Sequence, residues 1–217
     1  MSLLDVLFPP KCVLCRKVLE DFETDLCDAC RMDAPDCPVS RKKMPFLEGW
    51  CAVWYYQDAV RESILRYKFA NRRSYAKSYA KLLAQKLKEE YPEGFDVLTW
   101  VPISRRRKFK RGFDQVEKLA QALGKQLEIL PVRTLRKIRH NRPQSGIAAP
   151  AHRRANVLGV YKAINPEEIW NKRVLLLDDV ITTGATVGEC ARILLTAGAR
   201  EVYVGAVAAA RHDSKIK

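Results

Sequence analysis

The chain of 217 residues has no stretch approaching the roughly 20 consecutive apolar residues that a membrane span requires, which argues against a membrane-spanning protein. Residues 1–10 are apolar, but they lack a basic start and a small-residue cleavage site, so they read as a short packing helix rather than a signal peptide. There is no internal repeat or low-complexity tract. Together with a hydrophobic content of 47%, this excludes fibrous repeats and wholesale disorder. Without an export signal, the seven cysteines are expected in a reducing cytoplasm, where clustered Cys points to metal more than to disulfides. Acidic residues are scarce in one place. Residues 101–154 hold three Asp/Glu against fifteen Lys/Arg, whereas the other 163 residues hold 22 against 24. The net charge of +14 is therefore a block, which implies a polyanionic or phosphorylated partner if it is more than a solvated face. Inside the block, Phe109 and Phe113 lie among Arg105, Arg106, Arg107, Lys108, Lys110 and Arg111. Aromatic rings interleaved with cations suit a nucleic-acid or nucleotide ligand better than a membrane.

Two units are expected: a small module over residues 1–48, and an α/β domain over 49–217 carrying basic loops at 104–111 and 137–154. The first is slightly acidic and poor in aliphatic residues after Leu26, so it needs a staple. Cys12-x2-Cys15 and Cys27-x2-Cys30 supply one. Two such knuckles can hold a Zn²⁺ with four thiolates, leaving no open position for water, so the site is structural. Two disulfides are the alternative and would need an oxidising compartment. Cys37 lacks a partner at knuckle spacing, while Cys51 and Cys190 read as core residues.

The rest alternates strand and helix: a strand at 50–56, helices through Val60 and Ile64 and over 74–90, a strand at 96–103 and a helix at 113–127. A long exposed basic loop follows at 133–155, then a short strand at 157–161, a buried strand at 172–179, a helix at 186–197 and a strand at 201–210. This order predicts a mostly parallel sheet flanked by helices. The buried strand ends in Asp178-Asp179, at the edge where open α/β sheets bind ligands. Thr182-Thr183-Gly184-Ala185-Thr186 then leads into a helix whose first N–H groups can hold a phosphate. Carboxylates suited to sugar hydroxyls and Mg²⁺, next to a phosphate loop, describe a ribose 5-phosphate site.

At these residues the chain resembles the type I phosphoribosyltransferases. Several further features resemble the ComF family of competence proteins along nearly the whole chain. They are the four-Cys knuckle, Trp54-Tyr55-Tyr56, Val101-Pro102-Ile103-Ser104 with Arg111-Gly112-Phe113-Asp114-Gln115, Pro143-Gln144, and Arg153 with Asn156. The resemblance implies a cytoplasmic protein of natural transformation, with phosphoribosyl pyrophosphate, single-stranded DNA and a helicase-like competence protein as partners. It assigns Asp178 and Asp179 to the ribose hydroxyls and metal, residues 182–186 to the 5-phosphate, and Ser104 and Arg105 to pyrophosphate. Arg105, Arg106, Arg107, Lys108, Lys110, Arg111, Arg139, Arg142, Arg153 and Arg154 are the expected nucleic-acid contacts. Asp114 stands where the family has Asn, which leaves its role open. Three functions follow: a DNA-uptake protein that keeps the phosphoribosyl site, an active phosphoribosyltransferase whose acceptor the sequence does not name, and an adaptor that docks through its zinc module.

Overall fold

In the computed structural model, residues 9–38, 44–139 and 156–211 are described, and every structural statement below concerns these. In chain order the elements are α1 (Asp28–Asp33), β1 (Gly49–Tyr55), α2 (Asp58–Phe69), α3 (Tyr75–Glu90), β2 (Val97–Trp100), α4 (Arg105–Arg111), α5 (Gln115–Leu127), β3 (Leu135–Lys137), β4 (Tyr161–Ala163), β5 (Arg173–Ile181), α6 (Ala185–Thr196) and β6 (Glu201–Ala209). Four strands form one parallel sheet in the order β1-β6-β5-β2, with Leu177 of β5 opposite Trp100 of β2 and Gly205 of β6. β3 and β4 pair antiparallel as a separate ribbon.

The aliphatic run in β5 does not alternate because both faces of the sheet are covered. Leu175 and Leu177 pack with Ile64 and Tyr67 of α2, Tyr79 and Leu83 of α3, and Leu119 and Leu123 of α5. Val174 and Leu176 enter the opposite core with Val187, Cys190 and Leu194 of α6. These side chains are at most 1% exposed, and truncating any of the leucines to Ala should cost about 2–5 kcal/mol. Cys12, Val13, Leu14 and Leu26 of the N-terminal segment belong to the first core as well. The Ser63 hydroxyl on α2 donates to the Val13 carbonyl, and the Arg66 guanidinium donates to that of Leu14. The cysteine-bearing segment is thereby fastened to α2.

Five expectations are corrected. The basic segment 104–111 is a helix rather than a loop. Ser104 caps α4 by accepting from the Arg107 amide at 3.4 Å, and Gly112 ends it in the left-handed region at φ 75°. Within the expected loop 133–155, residues 135–137 form β3. The short strand lies at 161–163 rather than 157–161. Phe113 is a core residue, 4% exposed against Tyr67, whereas Phe109 is 92% exposed. The strand after Asp96 is also shorter than expected, ending at Trp100 before the turn at Pro102. Among the described residues no helix is long and apolar enough to cross a membrane.

Candidate active site

The four cysteines of the two knuckles converge. Cys12 and Cys15 sit on a tight turn in which the Arg16 amide donates to the Cys12 carbonyl at 3.0 Å, Cys27 immediately precedes α1, and Cys30 lies within it. Their sulfurs all lie within 4.8 Å of one another, the Cys15 and Cys27 Sγ atoms at 3.5 Å. A tetrahedron of Zn–S bonds of about 2.3 Å has edges of about 3.8 Å, so the donor set and its spacing fit a structural Zn²⁺. None of the seven cysteines is in a disulfide, and Cys37, buried elsewhere, takes no part in the cluster.

The acid pair lies near the C-terminal end of β5, in a cavity of about 590 Å³. Asp179 is 6% exposed. Its Oδ1 meets the Lys68 ammonium of α2 at 2.8 Å, and its Oδ2 accepts from the Gln115 side-chain amide at 2.8 Å. Burial works to raise the Asp179 pKa, but Lys68 and Gln115 outweigh it and hold the carboxyl below its usual range. Asp178 has the opposite fate. Burial, with the Asp179 charge beside it, pushes its pKa up to about 8, even though its Oδ1 accepts from the Asp179 amide at 2.8 Å. At neutral pH the pair carries one firm negative charge. Because an ionised carboxylate only accepts, the Gln115 nitrogen faces Asp179; its carbonyl oxygen is left buried without a partner, an acceptor suited to a ligand hydroxyl.

After the strand, Thr182, Gly184 and Thr186 line the same cavity, whereas Thr183 and Ala185 do not. Gly184 caps α6 at φ 74°, a conformation that disfavours other residues. A Cβ there would stand 2.7 Å from the Met44 sulfur, so the space beside its Cα is occupied by the segment that precedes β1. Lys137 and Tyr161 of the ribbon reach the cavity too, the Lys137 ammonium donating to the Tyr161 hydroxyl at 3.2 Å. Burial, and then the Arg107 charge, lowers the Lys137 pKa to about 8. At the rim Phe69 is 65% exposed, with the Arg111 guanidinium 4.9 Å from its ring centroid.

The expected nucleic-acid residues separate into two groups. Arg107, Lys110 and Arg111 line the acidic cavity. Arg105, Lys108 and Arg139 line a second cavity of about 780 Å³ beside it, together with Ser104. Arg106 faces both. Ser104 and Arg105, expected at pyrophosphate, therefore belong to the neighbouring cavity. Arg142, Arg153 and Arg154 lie outside the described residues. Asp114 acquires a role: its Oδ1 accepts from the Val116 and Glu117 amides as the cap of α5, and its Oδ2 accepts from Ile103 at 3.3 Å, tying α5 to the turn after β2. Asn has a side-chain oxygen in the same place and caps equally well. The sequence reading missed Lys68, Gln115, Lys137, Arg133 and Arg136. Gln115 carried a signal as the last residue of the 111–115 motif, and Arg133, Arg136 and Lys137 lay within the basic stretch already noted without being singled out; Lys68 carried none.

Residues 74–217 match the phosphoribosyl transferase domain model, and residues 3–52 match that of a double zinc ribbon domain. Among curated proteins the chain is 26% identical to Competence protein F of Haemophilus influenzae, over 92% of this chain and 97% of that protein. It is 29% identical to Competence protein ComFC of Streptococcus pneumoniae, over 88% and 96%. It is 28% identical to the DNA utilization protein YhgH of Escherichia coli K12, over 89% and 87%. The phosphoribosyl transferase domain model covers most of the chain, so this protein belongs to the phosphoribosyl transferase domain family, with a zinc-ribbon match ahead of that domain and similarity along most of its length to the ComF competence proteins.

Proposed function

We propose that this protein acts in DNA uptake during natural transformation, binding phosphoribosyl pyrophosphate with Mg²⁺ in the acidic cavity and single-stranded DNA on the adjoining cations. The observation that carries the reading is the convergence of Asp178, Asp179, Thr182, Thr186 and the α4 cations Arg106, Arg107, Lys110 and Arg111 on one cavity. Asp179, ionised and oriented, and Asp178, which a divalent cation would deprotonate, are hard oxygen ligands for Mg²⁺ or acceptors for a vicinal diol. Thr182, Thr186 and the N-terminus of α6 take the 5-phosphate, with the backbone of Thr183, Gly184 and Ala185 shaping the turn. The unpartnered Gln115 oxygen accepts from a ribose hydroxyl. Arg106 and Arg107 face the pyrophosphate, with Ser104 and Arg105 on its far side. The names of the full-length relatives support the competence role, and a helicase-like competence protein is the partner that the family suggests. A cytoplasmic location accords with a four-thiolate metal site, which a reducing compartment keeps from forming disulfides.

A titration of labelled phosphoribosyl pyrophosphate and Mg²⁺, with and without an oligonucleotide, tests both ligands. Saturable Mg²⁺-dependent binding is expected, and its absence would remove the reading. A second reading, an active transferase, is favoured by the extension of the cavity from the acid pair to the rings of Tyr56 and Phe69, where a planar acceptor could stack. A nucleophile would attack the anomeric carbon while the bond to pyrophosphate breaks, with the electron pair leaving on pyrophosphate. Single-turnover release of pyrophosphate with candidate bases tests it, and failure with all of them would leave binding alone.

A further inference from the structure

The second cavity holds cations that nothing among the described residues balances. One wall is the start of α4, with Arg105 and Arg106; the other is the chain entering β3, with Arg133 and Arg136, and Arg139 just beyond. The backbone of this second wall is fixed. The Val132 amide donates to the Leu98 carbonyl at 2.8 Å, and the fully buried hydroxyls of Thr99 and Thr134 lie 2.7 Å apart. Leu135 turns into the core while its neighbour Arg136 is exposed, as strand alternation requires. The two acids of the cavity are spent elsewhere: Asp114 on backbone amides, and Glu117 on Lys108 at 2.9 Å. Among the described residues, none of these five arginines has an ion-pair partner.

Five uncompensated guanidiniums around one cavity repel one another until an anion enters, and each offers a planar fork that matches phosphate oxygens. They are spread over both walls, an arrangement for several spaced phosphates rather than one. Trp100 and the half-exposed Ile138 give the cavity an apolar side. From this geometry we infer that the second cavity is the seat of the nucleic acid. It holds backbone phosphates of a single strand through Arg133 and Arg136 while the acidic cavity holds the sugar phosphate, so both ligands are bound at once. The inference rests on the nucleic-acid reading above and extends its location beyond the 104–111 segment, to Arg133 and Arg136. Arg106 and Lys137, which line both cavities, form the contact between the two sites.

The test is fluorescence anisotropy of a labelled oligo-dT of about 12 nucleotides, within the usual site sizes, titrated with the full chain over a salt series. Wild type is compared with Arg133→Ala/Arg136→Ala, two exposed positions, and the bound zinc content reports that the variant is folded. Losing two phosphate contacts should lower the magnitude of the slope of log affinity against log salt by about 1.4. Affinity for ribose 5-phosphate should be unchanged. An unaltered slope in the double variant, equal binding of a duplex, or a parallel loss of ribose 5-phosphate would overturn the placement. Wild type that binds no oligonucleotide even at low salt would overturn the nucleic-acid reading itself, and this site with it.

Discussion

The two cavities on either side of the segment 102–106 hold their charges in different ways. In the acidic cavity the carboxylates are buried and held in place beneath the cations of α4: Asp179 is paired with Lys68 and Gln115, Asp178 accepts from the Asp179 amide, and the buried Gln115 oxygen is left open for a ligand. In the other, arginines stand exposed and unpaired on a fixed backbone. A site of the first kind selects by geometry, because a ligand gains only where it matches positions already set. A site of the second kind selects by charge, and cannot distinguish one polyanion sequence from another. One domain thus offers a specific pocket for a small sugar phosphate and a nonspecific seat for a polymer.

The contrast breaks most sharply at the carboxylates. Asp178→Asn with Asp179→Asn removes two charge-assisted contacts of about 1.5–3 kcal/mol each. Calorimetry should show affinity for phosphoribosyl pyrophosphate and Mg²⁺ falling about a thousandfold, with oligonucleotide affinity retained. A joint loss would merge the cavities into one site. Salt sharpens the same contrast from the other side. With five arginines each meeting a phosphate at about 0.7 per contact, oligonucleotide affinity should fall about a hundredfold over a fourfold rise in salt. Ribose 5-phosphate should weaken only a few-fold, since its contacts are short and partly buried.

What could be read from sequence was what is local. The Cys12-x2-Cys15 and Cys27-x2-Cys30 spacing, the run ending in Asp178-Asp179 and the Thr/Gly turn each carry their chemistry within a few residues. Lys68 and Gln115 could not be read this way, because each is an ordinary polar residue of an amphipathic helix until packing brings α2 and α5 against the end of β5. β3 and β4 have three residues each, too few for a period to register. α4 was misread for another reason. A run of like charges on neighbouring turns opposes an isolated helix, whereas the folded protein caps it at Ser104 and ends it at Gly112. The separation of its cations into two cavities follows from that helical turn.

Phe109 and Phe113 extend the comparison to single rings. Phe109 lies outside the core on α4, so Phe109→Ala should weaken oligonucleotide binding about tenfold, the lower part of the range for one stacked base, and leave ribose 5-phosphate untouched. Phe113→Ala should instead lower the thermal midpoint, because that ring is buried against Tyr67 with the Arg73 guanidinium 5.0 Å from its centroid. If both variants act alike on DNA and neither on stability, the assignment of one ring to solvent and the other to the core is wrong.

The smallest effect tests Lys137, which with Arg106 lines both cavities. Lys137 is buried beside Arg107 and Tyr161 and also faces Asp178 and Cys190, and its pKa is lowered to about 8. A lysine depressed on folding withholds stability while it is charged, and regains it as pH rises through about 8 toward the ordinary lysine range. Its charge, however, serves anions only below that point. Oligonucleotide affinity should therefore decline two- to threefold, a fraction of a tenfold step worth about 1.4 kcal/mol, as pH is raised across 8. Lys137→Met should abolish the step while gaining stability at pH 7. The oligonucleotide is the proper reporter, because Asp178 titrates over the same range inside the sugar-phosphate cavity and would obscure the change there. A step that persists in Lys137→Met would place the titrating group elsewhere and separate the two cavities completely.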